Sequence, residues 1–278
     1  GRYYALHDGE HAEVASAIEE HYLPRHAGDR LPGTGAGQAV AIADRLDTLV
    51  GIFAVGESPT GDKDPFGLRR AALGVVRIMI EGGLELSLTT LLEAAWRSYP
   101  TALQKPGLVG SVYVFMMERL RAYYLEAGVS ADVYEAVLAC RPARPADFDK
   151  RVRAVMAFRT LPEAQSLTAA NKRIRNILRQ GGNADWAHVS PELLRAQSEK
   201  RLAEQVTSLT QVLMPLFDAG EYTEAMQRLA ALRPQVDEFF DNVMVMVDEE
   251  AVRDNRLALL HGLSKLFLRV ADLSKLQG

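Results

Sequence analysis

The sequence predicts an all-α protein built from two consecutive helical bundles. Apolar residues recur at intervals of three and four positions through most of the chain, which is the spacing of one face of an α-helix. Glycines and prolines stand at the ends of these periodic segments, where helices stop and start. A proline-rich stretch, CRPARPADFDKR at 140–151, interrupts the pattern near the middle. We therefore expect two domains, 1–145 and 146–278, with their boundary inside that stretch.

Six helices are predicted in the first domain, at 10–20, 36–56, 65–81, 88–98, 108–126 and 130–139. The clearest is 36–56, whose apolar and small residues keep helical spacing up to a glycine stop at Gly56. The helix at 65–81 has its own start signal, because Asp64 is a favoured N-cap residue and Pro65 is favoured at the first helical position.

Six more helices are predicted in the second domain, at 146–158, 162–180, 191–219, 221–231, 234–244 and 249–273. The last one carries a single apolar stripe formed by Val252, Leu259, Leu260, Leu263, Leu266, Phe267 and Val270. A short strand at 243–247 is the one alternative to helix or loop that the pattern leaves open.

The composition is that of a globular protein, with 48% hydrophobic and 24% charged residues. Cys140 is the only cysteine, which excludes an internal disulfide and a cysteine-based zinc site and fits a reducing compartment. No apolar run approaches the roughly 18 residues of a membrane span, and the N-terminus lacks the apolar core of a signal peptide. We therefore expect no membrane partner.

Positive charge is concentrated in one segment of a chain whose net charge is -4. Residues 151–179 hold seven basic residues and one acidic residue. Within LTAANKRIRNILRQ at 167–180, Lys172, Arg175 and Arg179 line one helix face, and Arg173 and Asn176 flank it. The opposite face, predicted to be buried, consists of Leu167, Ala170, Ile174, Ile177 and Leu178. The cations favour either an RNA-binding surface or an ordinary solvated face.

Metal chemistry has one weak candidate. His7 and Asp8 form an adjacent pair, and Asp44 and Asp47 follow on a helix. HD-type metal phosphohydrolases hold a divalent ion with a His-Asp pair and further His and Asp ligands. A lone His-Asp dipeptide is common, so ordinary loop and surface roles are favoured for these four residues. No phosphate-binding loop or serine-nucleophile motif occurs, and we expect no catalytic residue in this chain.

Several long segments resemble one family. They are GRYYALHDGE, PTGDKDPFGLRRAALGVVRI, RPADFDKR, ANKRIRNIL and FFDNVMVMVDEEAVRDNRLALLHGLSKLFLRVADLSKLQ. Together they resemble, in the same order, the C-terminal part of the beta subunit of the bacterial two-subunit glycyl-tRNA synthetase. In that family the alpha subunit activates glycine with ATP and Mg, and the beta subunit mainly recognises tRNA. The resemblance implies an HD-like helical body, linked to the tRNA acceptor arm, and then an anticodon-binding bundle similar to that of arginyl-tRNA synthetase.

The resemblance also implies where RNA would bind. The expected RNA-binding residues are Arg159, Lys172, Arg173, Arg175, Asn176, Arg179, Arg256 and Lys265. In the segment around GDKDPFGLRR, Lys63, Arg69 and Arg70 are further candidates for contact with tRNA or the alpha subunit. At least one of the two arginines is expected either to pair with Asp62 or a neighbouring acid or to contact the tRNA or the alpha subunit, and a structural role is favoured for this segment.

The predicted function is therefore tRNA recognition as part of a glycine–tRNA ligase in the cytoplasm. The expected partners are tRNA(Gly) and the alpha subunit, without DNA or a membrane, and no cofactor is expected in this chain itself. Two alternatives remain: a metal-dependent phosphohydrolase, and a helical module that only joins subunits. Divalent-metal-dependent hydrolysis of nucleotides would support the phosphohydrolase, and the absence of salt-sensitive tRNA binding would favour the subunit-joining module.

Overall fold

The computed structural model describes residues 1–26, 28–61, 63–182, 186 and 188–277. The all-α class is confirmed, because these residues form 13 α-helices and three short 3-10 helices, and no β-strand occurs among them. Backbone contacts divide the chain into two compact units. One is Gly1–Gly128 with Ala143–Asp147, and the other is Val129–Pro142 with Phe148–Gly278. The domain boundary between residues 145 and 146 stays a prediction.

The first unit holds six α-helices, α1 (Arg2–His7), α2 (Ala12–Glu20), α3 (Gly35–Val55), α4 (Leu68–Glu81), α5 (Leu88–Ser98) and α6 (Leu108–Glu126). The centre is α3, which contacts α2, α4, α5 and α6. Its residues Leu46, Leu49 and Val50 are buried, and burying an aliphatic side chain of this size contributes about 1.5–3 kcal/mol. The apolar spacing that predicted this helix is therefore the face that builds the core.

Both ends of α3 are fixed by the residues that mark them in the sequence. The Oγ1 of Thr34 accepts a hydrogen bond from the Gly37 amide at 3.0 Å, which satisfies one amide of the first turn. At the other end Gly56 has φ of 89°, a left-handed conformation that glycine adopts without steric cost. The predicted bounds of 36–56 are therefore confirmed to within one residue.

The start of α4 differs from the prediction. The helix begins at Leu68 instead of Pro65, and Gly67, with φ of 66°, precedes it. Asp64 still acts at the helix start, because its carboxylate accepts hydrogen bonds from the amides of Leu68 at 2.8 Å and Arg69 at 3.0 Å. The capping residue was predicted correctly, but the turn between it and the helix was missed.

The second unit is built from α7 (Ala131–Leu138), the part of α8 (Pro145–Arg159) from Phe148 onward, α9 (Ala164–Gly181), α10 (Gln197–Ala219), α11 (Tyr222–Ala230), α12 (Arg233–Asn242) and α13 (Glu250–Leu268). Helix α9 contacts α12 and α13, and α10 contacts α11, α12 and α13. The largest fully buried side chains of this unit are Tyr134, Phe148, Phe158, Phe239 and Phe267. These rings belong to the apolar core of this unit.

Three further elements differ from the sequence-based expectation. Helix α1 was not predicted, because only Ala5 of its six residues is buried and no apolar period marks it. Helix α10 starts at Gln197 instead of 191, where the side chain of Glu199 accepts a hydrogen bond from the Ala196 amide at 2.7 Å. Helix α13 ends at Leu268, five residues before its predicted end, and a 3-10 helix follows at Leu273–Lys275.

Residues 243–247 form a loop, so the possible strand there was wrong. Val243 and Val245 of this loop are buried, whereas Met244 and Met246 are exposed. Among the residues described, no helix has both the length and the apolar character needed to cross a bilayer.

Candidate nucleic-acid interface

Helix α9 is the most basic surface element of the second unit. Its apolar side faces the core as predicted for Leu167, Ala170 and Ile174, which are buried. Ile177 and Leu178, predicted to be buried as well, are only half-buried. The burial of the apolar side turns the basic residues of α9 toward solvent.

The centre of the exposed side consists of Lys172, Asn176 and Arg179. They lie within about 60° of one another around the helix axis at about 100° per residue, and all three are exposed. A nitrogen of Arg179 donates to Asn176 Oδ1 at 3.3 Å. Among the residues described, no carboxylate forms an ion pair with Lys172 or Arg179. These two cations are therefore available to an anionic ligand.

The two edges of this surface are held to neighbouring elements. On one edge, the guanidinium of Arg173 lies 4.3 Å from the ring centroid of Phe240 on α12. On the other, Arg175 forms an ion pair with Asp272 and donates to the Ser274 hydroxyl at 3.2 Å. Helical spacing places these arginines on the same surface but does not reveal their partners, because no local pattern links α9 to positions so far along the chain.

Arg159 has a structural partner at the start of α7. Its Nη1 lies 3.1 Å from Asp132 Oδ1 and 2.7 Å from the Ser130 hydroxyl. Burial acts to raise the pKa of Asp132, but hydrogen bonds from Ser130 and the Gln277 amide, together with the charge of Arg159, lower it overall. The positive charge of Arg159 is therefore largely used within the fold.

The two candidates on α13 differ in exposure. Arg256 has only 11% of its side chain exposed and pairs with the fully buried Glu199. Its Nη1 also donates to the Met244 carbonyl at 2.8 Å, which holds the loop after α12. These contacts give Arg256 a structural role within the fold. Lys265 is exposed on the same helix.

The three candidates near the start of α4 lie in the first unit. Lys63 is exposed, and its backbone pairs with Thr60 in a tight turn. Arg69 donates from its guanidinium to the Gly61 carbonyl. Arg70 is exposed. The expected pairing with Asp62 falls on a position outside the described residues.

The four possible metal ligands are not brought together as a metal site. No group of three or more His, Cys, Asp or Glu side chains with metal-binding geometry occurs in the described part of the chain. His7 and Asp8 are exposed at the end of α1, and Asp44 and Asp47 are exposed on α3. The carbonyl of Asp47 accepts a hydrogen bond from the Tyr99 hydroxyl at 2.9 Å. No observed contact favours the phosphohydrolase interpretation.

Comparisons with known proteins match two family models to two different parts of the chain. Residues 1–139 match the family model of the glycyl-tRNA synthetase beta subunit, and residues 167–273 match that of the DALR anticodon-binding domain. The second match begins at Leu167 within α9, extends past α13 and includes all the candidates on α9 and α13.

Curated relatives agree with these family matches. The glycine–tRNA ligase beta subunit of Marinobacter nauticus is 54% identical over 99% of this chain, and those of Edwardsiella ictaluri and Sodalis glossinidius are each 55% identical over its whole length. In each case the matched part is 40% of the relative, so the chain spans about two fifths of the length of these proteins. The resemblance seen in the sequence is thus confirmed: the chain belongs to the glycyl-tRNA synthetase beta-subunit family.

Proposed function

We propose that this chain is a tRNA-recognition part of a glycine–tRNA ligase and that it binds tRNA(Gly) through the exposed side of α9. The observation that carries this proposal is the surface formed by Lys172, Asn176 and Arg179. Its two cations have no carboxylate partner among the described residues, and all three residues lie inside the segment that matches an anticodon-binding domain. The natural ligand of such a surface is a polyanion.

The three residues would have different roles toward RNA. Lys172 and Arg179 bind phosphates, and these contacts provide sequence-independent, salt-sensitive affinity. Asn176 carries both a donor and an acceptor and can read the edge of an unpaired base. Arg173 already packs on the Phe240 ring, and the free face of such a guanidinium can stack on a base. Unpaired bases of an anticodon loop fit this combination.

The chemistry of the ligase belongs to a different chain in this proposal. An alpha subunit uses ATP and Mg to activate glycine, and this chain holds the tRNA so that its 3′ end reaches that site. The first unit would contact the acceptor arm or the alpha subunit, with Lys63, Arg69 and Arg70 as the candidate residues. The complete enzyme is then an aminoacyl-tRNA synthetase of the cytoplasm, and no residue of this chain is assigned to catalysis.

A filter-binding titration tests the proposal directly. The chain is titrated with tRNA(Gly) and with an unrelated tRNA at two salt concentrations. Tighter binding of tRNA(Gly), weakened by salt, is the expected result, because phosphate contacts release counterions. Absence of salt-sensitive binding to either tRNA would contradict the proposal and favour a module that only joins subunits.

A further inference from the structure

The first unit contains a concentration of arginine, of which the proposed function uses only Arg69 and Arg70, as candidate contacts. Two adjoining surface pockets, of about 440 and 380 Å³, share Pro24 and Arg70 in their walls. Six arginines line them, whereas the described lining has only two carboxylates, Asp44 and Glu126. The arginines are Arg25, Arg45, Arg69, Arg70, Arg77 and Arg119. The unit as a whole has 13 Lys and Arg against 17 Asp and Glu. These arginines therefore form a locally positive surface on a unit whose net charge is negative.

Most of these arginines have partners within the unit. Three of them are neutralised by carboxylates: Arg25 by Asp29 at 3.0 Å, Arg77 by Glu81 at 2.7 Å and Arg119 by Glu118 at 3.4 Å. Arg69 donates to the Gly61 carbonyl. The positive charge that is left to act on a ligand therefore comes mainly from Arg45 and Arg70, which both line the larger pocket.

Arg45 is a buried cation whose observed partners are all uncharged. The residue is only 8% exposed. Its Nη1 donates to the carbonyls of His21 at 2.7 Å and Ala41 at 3.0 Å, and its Nη2 donates to those of Tyr22 at 3.0 Å and Pro24 at 3.3 Å. Burial lowers its pKa, the charge of Asp44 partly opposes this effect, and the charge of Arg70 lowers the pKa further. Carbonyl dipoles satisfy its N–H groups but leave its net charge in place, and a buried charge gains strongly from a counter-ion.

Arg70 brings a second guanidinium to the same wall, and its surroundings are aromatic. It is exposed and makes no ion pair with any residue that the structure describes. Tyr22 and Phe66 line the same pocket and are 64% and 49% exposed. The His21 ring lies against Tyr22, with centroids 3.8 Å apart. Guanidinium groups bind phosphate through paired N–H donors, and exposed rings stack on nucleobases.

We propose that the pocket between α3 and the start of α4 binds the phosphate group of a nucleotide, with Arg70 as the direct ligand. Arg45 provides a fixed positive field behind the phosphate, and Tyr22 or Phe66 contacts the base. Asp44, the one carboxylate in the described lining of this pocket, opposes an anion there. The shared chemistry is a nucleotide phosphate, whether from a free nucleotide or from an RNA strand. The site does not involve α9. Its RNA-strand case rests on the proposed contact of the first unit with tRNA, whereas its free-nucleotide case does not.

Binding of three probes to the 278-residue chain tests this site. The probes are adenosine 5′-monophosphate, a short single-stranded oligoribonucleotide and inorganic phosphate, followed by calorimetry. Arg70→Gln should weaken binding about tenfold or more, since it removes a charged, bidentate donor. Asp44→Asn should strengthen binding several-fold, because it removes the opposing charge. Arg97→Gln is the matched control: Arg97 is an exposed arginine of the same unit that pairs with Glu93 and lies outside both pockets.

The outcomes separate the possible sources of the phosphate. Binding of the mononucleotide that responds to both variants supports a free nucleotide, and an oligonucleotide response without mononucleotide binding supports an RNA strand. Failure of all three probes to bind would overturn the proposal, as would binding that is unchanged in both Arg70→Gln and Asp44→Asn. Equal affinity for inorganic phosphate and the mononucleotide would overturn the assigned role of the aromatic rings. Circular dichroism of each variant checks that the fold is retained.

Discussion

Neutralising the centre of the α9 surface is the most direct perturbation that the structure offers. Replacement of Lys172 and Arg179 together by glutamine removes two exposed cations without a carboxylate partner in the described part of the chain. Arg175 is a poorer choice, because its ion pair with Asp272 ties α9 to the 3-10 helix and its loss would disturb the fold. Exposed substitutions of this kind usually change stability by less than about 0.5 kcal/mol. A change in RNA affinity would then report on binding.

The size of the effect follows from counterion release. Each lost phosphate contact lowers the exponent of the salt dependence by about 0.8, so two contacts lower it by about 1.6. Relative to 1 M salt, these two contacts are worth about 40-fold in affinity at 0.1 M and about sevenfold at 0.3 M. We therefore expect the double variant to bind tRNA(Gly) about 40-fold more weakly at the lower salt concentration, and the gap to narrow as salt increases.

Filter binding of labelled tRNA(Gly) across a range of salt concentrations provides the measurement. Arg228→Gln is the matched control, because Arg228 is an exposed arginine on α11 that pairs with Glu224. This variant should keep the parental salt slope. A double variant with the parental affinity and slope would refute the assignment of α9 as a phosphate-binding surface. A uniform loss that does not depend on salt would refute the electrostatic mechanism.

Three further perturbations test how the fold supports these surfaces. Asp64→Ala should lower the free energy of unfolding by about 1 kcal/mol, because its carboxylate caps the first amides of α4; urea titration measures this, and an unchanged midpoint would reject the cap. Asp132→Asn should destabilise the protein at neutral pH. The pKa of Asp132 is lowered in the folded state. Its contribution to the free energy of unfolding is therefore present above the ordinary carboxyl pKa of about 4 and is lost as the pH falls through the folded-state pKa. A stability difference between variant and parent that stays constant down to pH 2 would contradict this. Glu199→Gln should cost about 3 kcal/mol in thermal or urea unfolding, because it leaves Arg256 without its buried counter-ion; a loss below about 1 kcal/mol would show that the pair is not needed.

The helices that the sequence predicts well are those whose signals are local. Helix α3 combines a long apolar face with Thr34 at one end and Gly56 at the other, and each signal lies within the helix or next to it. The start of α4 is harder, because three residues of turn separate Asp64 from Leu68. A capping carboxylate that reaches across a turn has the same sequence signature as one directly before the helix.

The end of α13 shows a limit of a different kind. Its apolar pattern continues to Val270, but the helix stops at Leu268. Beyond this point the amide of Asp272 donates to the Ala136 carbonyl at 2.9 Å, and the carboxylate of Asp272 binds Ser274 and Arg175. Ser274 is a local partner, but Ala136 and Arg175 belong to α7 and α9, so tertiary contacts fix the chain just after the helix and the apolar pattern does not reveal them.

The same distinction between local and tertiary signals holds for the two candidate surfaces. Lys172, Asn176 and Arg179 lie on one helix, and helical spacing alone placed them together. The arginines of the first unit come from the loop before α3 and from α3, α4 and α6, so only the packing of these elements brings them together. From the sequence, Arg45 would be expected to be an exposed polar residue of α3, and only the fold shows that it is buried.

The contacts of Arg173 and Arg175 at the two edges of α9 bear on how long a bound RNA stays. Lys172 and Arg179 are about 10 Å apart along the helix axis, and the two arginines beside them are held by Phe240 and Asp272. So short a row of available cations can reach only a few neighbouring phosphates. Because differences in affinity among related complexes appear mainly in the dissociation rate, we expect a short residence time on α9. Under the proposed function, rapid release would let this surface exchange one tRNA for the next in every catalytic cycle.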